Sequence, residues 1–399
     1  MDNTTTSPRL VIIDYQDLVS SDIDLSIQLD RAFGGRNHSS SLPPNDDDKD
    51  ELSPLGIIAI RNVPNFVDAK MKFLPLAHPL AHLETEYLER QLSDPKSLYN
   101  AGWSHGKEKL GDQPDFAKAS YYFNPVTDTP GTSEERERYP ASYPCNKWPN
   151  EAELPQLTNF KDAAKHLGTI MHEVVVLLAK RIDAMTTNRV KGYTSNLLFD
   201  AMKTTEKVKG RLLYYYPLEE NGHTTNNDIT AKEDTWIGWH NDSGFLTSLA
   251  GDLYVNDSTG ELLDEQDVDS EAGLYVIDRS GKSIHVTIPP DCMAVQIGEC
   301  LQILTGGVVV ATPHCVRGPR AGWNPQSTIK VARISHPCFI DSKPTFPLCM
   351  PEGCSREDVS RAGSGMGKVP PLEDRWIEDG MTFGDFLQKS FDKYYDWKG

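Results

Sequence analysis

The sequence contains no long apolar run. Its stretches of consecutive apolar residues, such as 174–179 and 308–311, are far shorter than the roughly 20 residues that a membrane-spanning helix needs. The first residues, MDNTTT, lack the basic and apolar regions of a secretory signal peptide. We therefore expect a cytoplasmic protein without a membrane partner.

Basic side chains are outnumbered and scattered. The chain has 40 lysines and arginines against 58 aspartates and glutamates, which gives a formal net charge of −18 at pH 7. This charge repels phosphate backbones and anionic lipid headgroups unless a basic patch compensates, and the sequence shows none. We expect no nucleic-acid partner. Much of the acidic excess lies in segments 45–51 and 256–273, outside the predicted strands, which indicates a charged outer surface.

Cysteine is scarce as well. Seven cysteines occur in 399 residues, an odd number, and none of them form a C-x-x-C pair. This pattern favours reduced thiols over a disulfide framework or a structural zinc site. The chain is long enough to bury one large core or two ordinary ones.

The pattern of the chain changes halfway along. Residues 1–205 predict a mainly helical region with edge strands, and its clearest helix begins near Asn159 and keeps an apolar face as far as Met185. In residues 206–399, short β-rich runs recur between Gly, Pro, Asn and Asp, before a final predicted helix at 382–395. Closely spaced strands without intervening helices are typical of a sandwich or barrel. We therefore expect an α+β fold in one compact unit.

Three residues of the β-rich part form a candidate metal site. His240 and Asp242 occur in GWHNDSG, and His314 occurs in ATPHCVR. On an extended strand, residues i and i+2 face the same side, so His240 and Asp242 can present an imidazole and a carboxylate together. With His314 from a second strand they make the two-histidine, one-carboxylate triad of non-haem Fe(II) oxygenases. An isolated H-x-D is common, and its alternative is a solvated His–Asp pair.

Arg333 and Ser335 form a second pair at i and i+2 on a predicted strand. The guanidinium of Arg333 suits a carboxylate, and Ser335 offers a hydroxyl beside it. A carboxylate-binding pair near an iron site suggests a keto acid that is held at one end by the metal and at the other by Arg333.

Taken in order, H-x-D, T-P-H-x-V-R and R-x-S resemble the motifs of the 2-oxoglutarate and Fe(II)-dependent dioxygenases, specifically the isopenicillin N synthase-like family. The resemblance covers most of the chain, because further similar segments lie at 11–14, 55–63, 215–217 and 295–306. It implies a double-stranded β-helix, or jelly-roll, core that packs against N-terminal helices and carries a C-terminal helix.

The resemblance also implies the roles of the site residues. His240, Asp242 and His314 would bind Fe(II), and Arg333 and Ser335 would hold the distal carboxylate of 2-oxoglutarate. Molecular oxygen would be consumed, 2-oxoglutarate would be decarboxylated to succinate, and a bound metabolite would be hydroxylated, desaturated or closed into a ring. We expect this partner to be a small molecule of secondary metabolism; the sequence leaves its identity and the oligomeric state open.

Four features concern the surroundings of this site. Tyr216 precedes Pro217, where the family often has a tyrosine that contacts the same carboxylate; its alternative is core packing. Tyr214 stands where many relatives have Asn. Two insertions, 256–273 and 318–327, lengthen the stretches between the motifs. Both predict turn-rich excursions between strands, with a lid over the site as the weaker interpretation.

Five residues are candidates for substrate contacts: Ser104, His105, Arg211, Phe245 and His336. The first two lie in a glycine-flanked polar segment that is either a pocket wall or an exposed turn. The phenylalanine either packs beside the iron or belongs to the core. The arginine and the last histidine could meet an acidic group of the substrate, and their alternative is a structural role.

The leading hypothesis is therefore a 2-oxoglutarate-dependent oxygenase that acts on a small metabolite. One alternative is an iron oxidase of the isopenicillin N synthase type, which closes a ring without 2-oxoglutarate and also carries R-x-S. Another is a small-molecule-binding module that uses the same scaffold without turnover. The complete set of three metal ligands argues against the binding module, because a receptor has no need of them.

Overall fold

The computed structural model describes residues 10–35, 53–107, 109–110, 113–217, 235–320, 323, 328–363 and 367–396. The acidic segment 45–51 lies outside these residues. Among the described helices, none combines the length and the apolar character that crossing a membrane requires.

The larger β-sheet takes strands from both halves of the chain. In the described residues its order is β1 (Val11–Asp14), β2 (Ile57–Arg61), β12 (Cys292–Ile297), β9 (Leu246–Asn256), β14 (Val331–Ile340), β7 (Val208–Tyr215), β6 (Lys118–Phe123) and β3 (Gly102–His105). β1 and β2 are parallel, and the other neighbours are antiparallel. The division of the chain into two regions at residue 205 stays a prediction.

A smaller antiparallel sheet lies opposite the larger one. Its described order is β11 (Ser283–Val286), β10 (Gly273–Ile277), β13 (His314–Arg317) and β8 (Thr235–His240), and β4 (Lys109–Leu110) pairs separately with β5 (Gln113–Pro114). Leu213 and Tyr215 of the larger sheet pack against Trp236 and Val316 of the smaller one. The two sheets thus form a sandwich whose inner faces meet.

Helices pack on the outer face of the larger sheet, and the longest of them, α7, contributes most to the core there. The described helices are α1 (Tyr15–Val19), α2 (Ser26–Phe33), α3 (Phe66–Phe73), α4 (Ala77–Ala81), α5 (Thr85–Tyr87), α6 (Ser133–Arg138), α7 (Phe160–Arg189), α8 (Leu197–Thr204), α9 (Glu299–Leu304), α10 (Arg356–Arg361) and α11 (Phe383–Asp396). The apolar face of α7 joins Leu212, Tyr214 and Ile334 in the main core. Because side chains alternate along a strand, the residues between these point into the sandwich.

The first turns of α7 and α11 are capped in different ways. α7 begins after Asn159, as predicted, but Asn159 is left-handed (φ 63°) and its side chain makes no capping hydrogen bond. Instead, the carboxylate of Glu151 accepts hydrogen bonds from the backbone N–H groups of Asn159 and Lys161. α11 begins as its sequence predicts, because Thr382 Oγ1 accepts from the backbone N–H of Asp385 at 3.2 Å.

Candidate metal centre and co-substrate pocket

The structure brings the three predicted metal ligands together. β8 and β13 are neighbours, and His240 lies directly opposite His314, with ring centroids 4.2 Å apart. The Asp242 Oδ1 atom is 4.0 Å from the Nε2 atom of His240 and 3.9 Å from that of His314. β8 ends at His240, so Asp242 reaches the histidines from the following turn rather than by alternation along a strand.

Backbone carbonyls orient both imidazoles. The Nδ1 atoms of His240 and His314 lie 2.9 and 3.2 Å from the carbonyl oxygens of Gly238 and Thr312. A carbonyl only accepts, so each Nδ1 carries the proton and each Nε2 keeps its lone pair for a ligand. Burial, assisted by the neighbouring His314, lowers the pKa of His240 to about 4, so this imidazole is neutral at pH 7.

The carboxylate of Asp242 indicates what belongs between these groups. Its Oδ2 atom is buried and has no hydrogen-bond partner among the described residues. A buried carboxylate oxygen without a partner is costly unless a cation or a donor meets it. Two imidazoles and one carboxylate, all with ligand atoms within 4.8 Å of one another, therefore fit one divalent metal ion with open positions.

Arg333 and Ser335 line the same pocket as the metal ligands, on the inner face of the larger sheet. The Arg333 guanidinium is buried, lies 4.6 Å over the Tyr215 ring, and donates from Nη2 to Asp252 Oδ1 at 2.7 Å. Its Nε and Nη1 atoms have no partner within the described parts of the chain. Burial lowers the pKa of Arg333, but Asp252, Tyr215 and Tyr254 together outweigh burial, so the pKa lies above its ordinary value and the cation persists.

Three solved structures are similar to this chain over nearly its whole length. A 2OG-Fe(II) oxygenase family protein from Caulobacter crescentus matches with a TM-score of 0.60 and 20% identity over 97% of this chain and 99% of its own. A full-length Neurospora crassa protein in complex with alpha-KG and thymine matches at 0.62 and 17% over 98% of both chains. JOX2 in complex with 2OG, Fe and JA matches at 0.58 and 15% over 97% of this chain and 87% of its own.

The chain has the fold of the 2OG-Fe(II) oxygenases. The predicted α+β fold with a jelly-roll core is confirmed. No protein-family model matches the sequence, and no curated protein does. The narrower resemblance to the isopenicillin N synthase-like family stays a prediction.

In this oxygenase fold, Tyr215 rather than Tyr216 lines the pocket. Tyr215 pairs with Arg333 across β7 and β14 and shares its face. Tyr216 is on the opposite side, where its ring contacts those of Tyr214 and His105 and its hydroxyl lies 3.4 Å from the carbonyl of Ala81. The prediction that Tyr216 contacts the co-substrate is therefore wrong in this structure, because strand alternation turns it towards the helices.

Arg211 lines the pocket, as its predicted role requires. Its Nε atom donates to Ser120 Oγ at 2.9 Å, and its guanidinium lies 5.2 Å from the Tyr122 ring. Sequence reasoning missed Ser120 and also missed Asp252, which pairs with Arg333. No local motif marks either residue, and only the strand register places them beside the arginines.

Ser104 and His105 face opposite sides of β3. Ser104 is buried and pairs with Ser120, which pairs with the pocket residue Leu213, so it lies two strands further out in the same row. His105 lies on the helix side, with its Nε2 atom 3.2 Å from the carbonyl of Phe116. Of the two, only Ser104 shares the pocket side of the sheet.

Two predicted substrate residues belong to the core. His336 is fully buried, with its ring 5.3 Å from that of Phe73 and stacked 5.5 Å from that of Phe123. Burial lowers its pKa to about 4. Because its ring lies among these core rings and does not line the pocket, the prediction that it meets an acidic substrate group is wrong. Phe245 is buried between Phe346 and Phe383, and it does not line the pocket.

The described parts of the insertions brace the protein away from the metal ligands. In the first, Asp257 accepts a hydrogen bond from the Tyr214 hydroxyl at 2.7 Å, and its carbonyl lies 2.9 Å from His78 Nε2. Buried Asp269 accepts from the backbone and guanidinium of Arg320, which joins the two insertions. This junction lies next to the Gly273 end of β10, whereas the metal ligands lie at the other end of the same sheet. The lid interpretation gains no support from these residues.

Proposed function

We propose that this protein is an Fe(II)- and 2-oxoglutarate-dependent dioxygenase that oxidises a small molecule. One observation carries the proposal: a single pocket has a His-Asp-His cluster suited to a metal at one end and a buried arginine with unpaired donors at the other. A metal and a carboxylate satisfy both ends at once. 2-Oxoglutarate suits this arrangement because it carries an oxo-acid group for the metal and a distal carboxylate for the arginine.

The residues present fit both groups. His240, Asp242 and His314 would hold Fe(II) through their Nε2 and carboxylate oxygen atoms. Arg333 and Ser335 would hold the distal carboxylate, with the guanidinium supported from below by the Tyr215 ring. When bound, Fe(II) supplies the activation of molecular oxygen that is coupled to conversion of 2-oxoglutarate to succinate.

The protein supplies placement and a dry site. The pocket walls between the two polar ends include Leu249, Leu274 and Val316, which exclude water from the co-substrate. Arg333 fixes one end of the co-substrate, so its oxo-acid end is directed to the triad. The fixed tautomers of the two histidines keep their Nε2 atoms aimed at one point without reorganisation.

A substrate with an acidic or strongly polar group is favoured by Arg211. Its guanidinium lines the pocket and is steered by Ser120, one strand away from Arg333. It lines the same pocket as His240, and its positive charge contributes to the lowered pKa of that imidazole. The thymine of the Neurospora crassa complex and the JA of the JOX2 complex are small molecules, which supports a substrate of that size. Which C–H bond faces the metal then decides between hydroxylation, desaturation and ring closure.

The test measures oxygen uptake and succinate formation by the full chain with Fe(II), 2-oxoglutarate and a panel of small organic acids. We expect coupled consumption with at least one compound. Oxygen uptake without succinate would favour the oxidative cyclase, and ligand binding without oxygen uptake would favour the binding module.

Arg333→Met sharpens this test. The variant loses charge-assisted hydrogen bonds to the distal carboxylate, so we expect the Kd for 2-oxoglutarate to rise about 100-fold, measured by calorimetry with Mn(II) present. Arg320→Met is the matched control, because Arg320 contacts Asp269 outside the pocket and should leave this Kd unchanged. An unaltered Kd in Arg333→Met would contradict the assignment of the carboxylate site.

A further inference from the structure

The turn that carries Asp242, residues 241–245, is bonded on both sides of that residue to one buried carboxylate. Asn241 Nδ2 donates to Glu299 Oε1 at 2.9 Å, and Ser243 Oγ donates to Glu299 Oε2 at 3.4 Å. The backbone N–H of Glu299 also donates to the carbonyl of Asp242 at 2.8 Å. Glu299 thus contacts three consecutive residues of the turn.

Arg375 holds this carboxylate in place. Its two terminal nitrogens form a bidentate ion pair with Glu299, and both side chains are almost fully buried. The remaining N–H groups donate to the carbonyls of Pro370 and Pro371 at 3.0 and 3.3 Å, and to Ser390 Oγ at 3.2 Å. Because every nitrogen of the guanidinium has a partner, the pair has one defined geometry.

The C-terminal helix contacts the turn directly. The backbone N–H of Asn241 donates to the Tyr394 hydroxyl, on α11, at 2.9 Å. The Arg375 guanidinium lies 5.5 Å from the Tyr394 ring and joins this contact to the ion pair. A residue near the end of the described chain therefore bonds the residue between His240 and Asp242.

The other end of the turn is pinned in the same manner. The backbone N–H of Phe245 donates to Asp341 Oδ1 at 3.0 Å, and Asp341 pairs with buried Lys207 at 2.8 Å. The turn packs closely at this end, since a Cβ on Gly244 would lie 2.2 Å from Asp341 Oδ1 and one on Gly298 would lie 2.1 Å from the Gly244 carbonyl oxygen.

We propose that Glu299, Arg375 and Tyr394 are positioning residues for the metal-binding turn, so that the C-terminal helix sets metal affinity without supplying a ligand. The inference rests on the proposed function, because it takes Asp242 as a metal ligand. Asp242 Oδ2 has no hydrogen-bond partner in the described residues, so the position of the turn decides where this oxygen lies. Groups that orient metal ligands typically change metal affinity by about 10- to 100-fold when they are removed.

The experiment is a titration of the full chain with Mn(II), followed by the electron paramagnetic resonance signal of the free ion. Tyr394→Phe removes only the hydroxyl that accepts from Asn241, and Asn241→Ala removes the amide that contacts Glu299. The matched control is Tyr193→Phe, which removes a buried hydroxyl bonded to Asp183 away from the pocket. We expect Mn(II) to bind about tenfold more weakly to the first two variants and as tightly as wild type to the control.

The outcomes separate the two proposals. If wild type binds no Mn(II), the proposed function fails and this inference fails with it. If wild type binds Mn(II) and Tyr394→Phe and Asn241→Ala bind it equally well, only the positioning inference is overturned. The same holds if Tyr193→Phe weakens binding as much as they do, because the effect would then be general loosening. Thermal unfolding of each variant identifies such loosening independently of the metal.

Discussion

Two buried arginines lie near the candidate metal site, and their surroundings differ. Arg375 is fully enclosed, and each of its nitrogens has a protein partner. Arg333 is almost as buried, yet its Nε and Nη1 atoms have no partner among the described residues. Buried donors are normally satisfied. Arg375 therefore completes a structural network, whereas Arg333 keeps two donors free for the proposed co-substrate.

The largest expected effect breaks the enclosed pair. Arg375→Met leaves the Glu299 carboxylate buried without its counter-ion, so we expect the free energy of unfolding to fall by about 3–5 kcal/mol. In Arg333→Met, the Asp252 carboxylate that remains is partly exposed and can rehydrate. The free energy of unfolding of this variant should therefore fall by only about 1 kcal/mol. Urea unfolding of both variants, without metal or co-substrate, measures the contrast. Equal losses would show that the two arginines do not differ as proposed.

His336 is a third buried basic side chain, and it differs from both arginines because its neighbours are aromatic and not anionic. Burial lowers its pKa to about 4 in the folded protein, against about 6.5 in the unfolded chain. The folded protein therefore favours the neutral form of His336. The corresponding contribution to the free energy of unfolding is fully present above pH 6.5 and is lost as the pH falls towards 4. By linkage, about 2 kcal/mol is lost by pH 5.

The variant His336→Phe checks this effect. It retains an aromatic ring between Phe73 and Phe123 but does not titrate. We expect the decrease in unfolding free energy between pH 7 and pH 5 to be about 2 kcal/mol smaller than in wild type, from urea unfolding at both pH values. A decrease of the same size in both proteins would mean that His336 does not charge on unfolding.

Short sequence motifs point to residues that the structure places in one pocket. His240 and Asp242 share one short motif and His314 lies in a second. Arg333 and Ser335 form a third, and here strand alternation does place i and i+2 on one face. The same rule applies to His336, because a residue directly after Ser335 on a strand points to the other face. Alternation therefore places His336 away from the pocket.

Other site residues depend on strand register and on contacts between distant segments, and these are difficult to predict from sequence. In the run Tyr214 to Tyr216, three identical residues give no sign of which one faces the pocket; the pairing of Tyr215 with Arg333 decides it. The contacts of Arg375 and Tyr394 with the metal-binding turn join segments that lie far apart in the sequence. No local motif records such contacts, so they follow only from the packed fold.

The smallest expected effect concerns Asp252, whose carboxylate already forms an ion pair with Arg333. Its Oδ1 atom accepts from Nη2 at 2.7 Å, on the side of the pocket where the co-substrate carboxylate is proposed to bind. Two carboxylates on one guanidinium repel each other, so Asp252→Asn should tighten 2-oxoglutarate binding about threefold to tenfold, or about 1 kcal/mol. Calorimetry with Mn(II) at low and moderate salt measures it. Weaker binding in the variant would instead mean that Asp252 orients Arg333. The Nε and Nη1 donors would then face the co-substrate only while Asp252 holds the guanidinium in place.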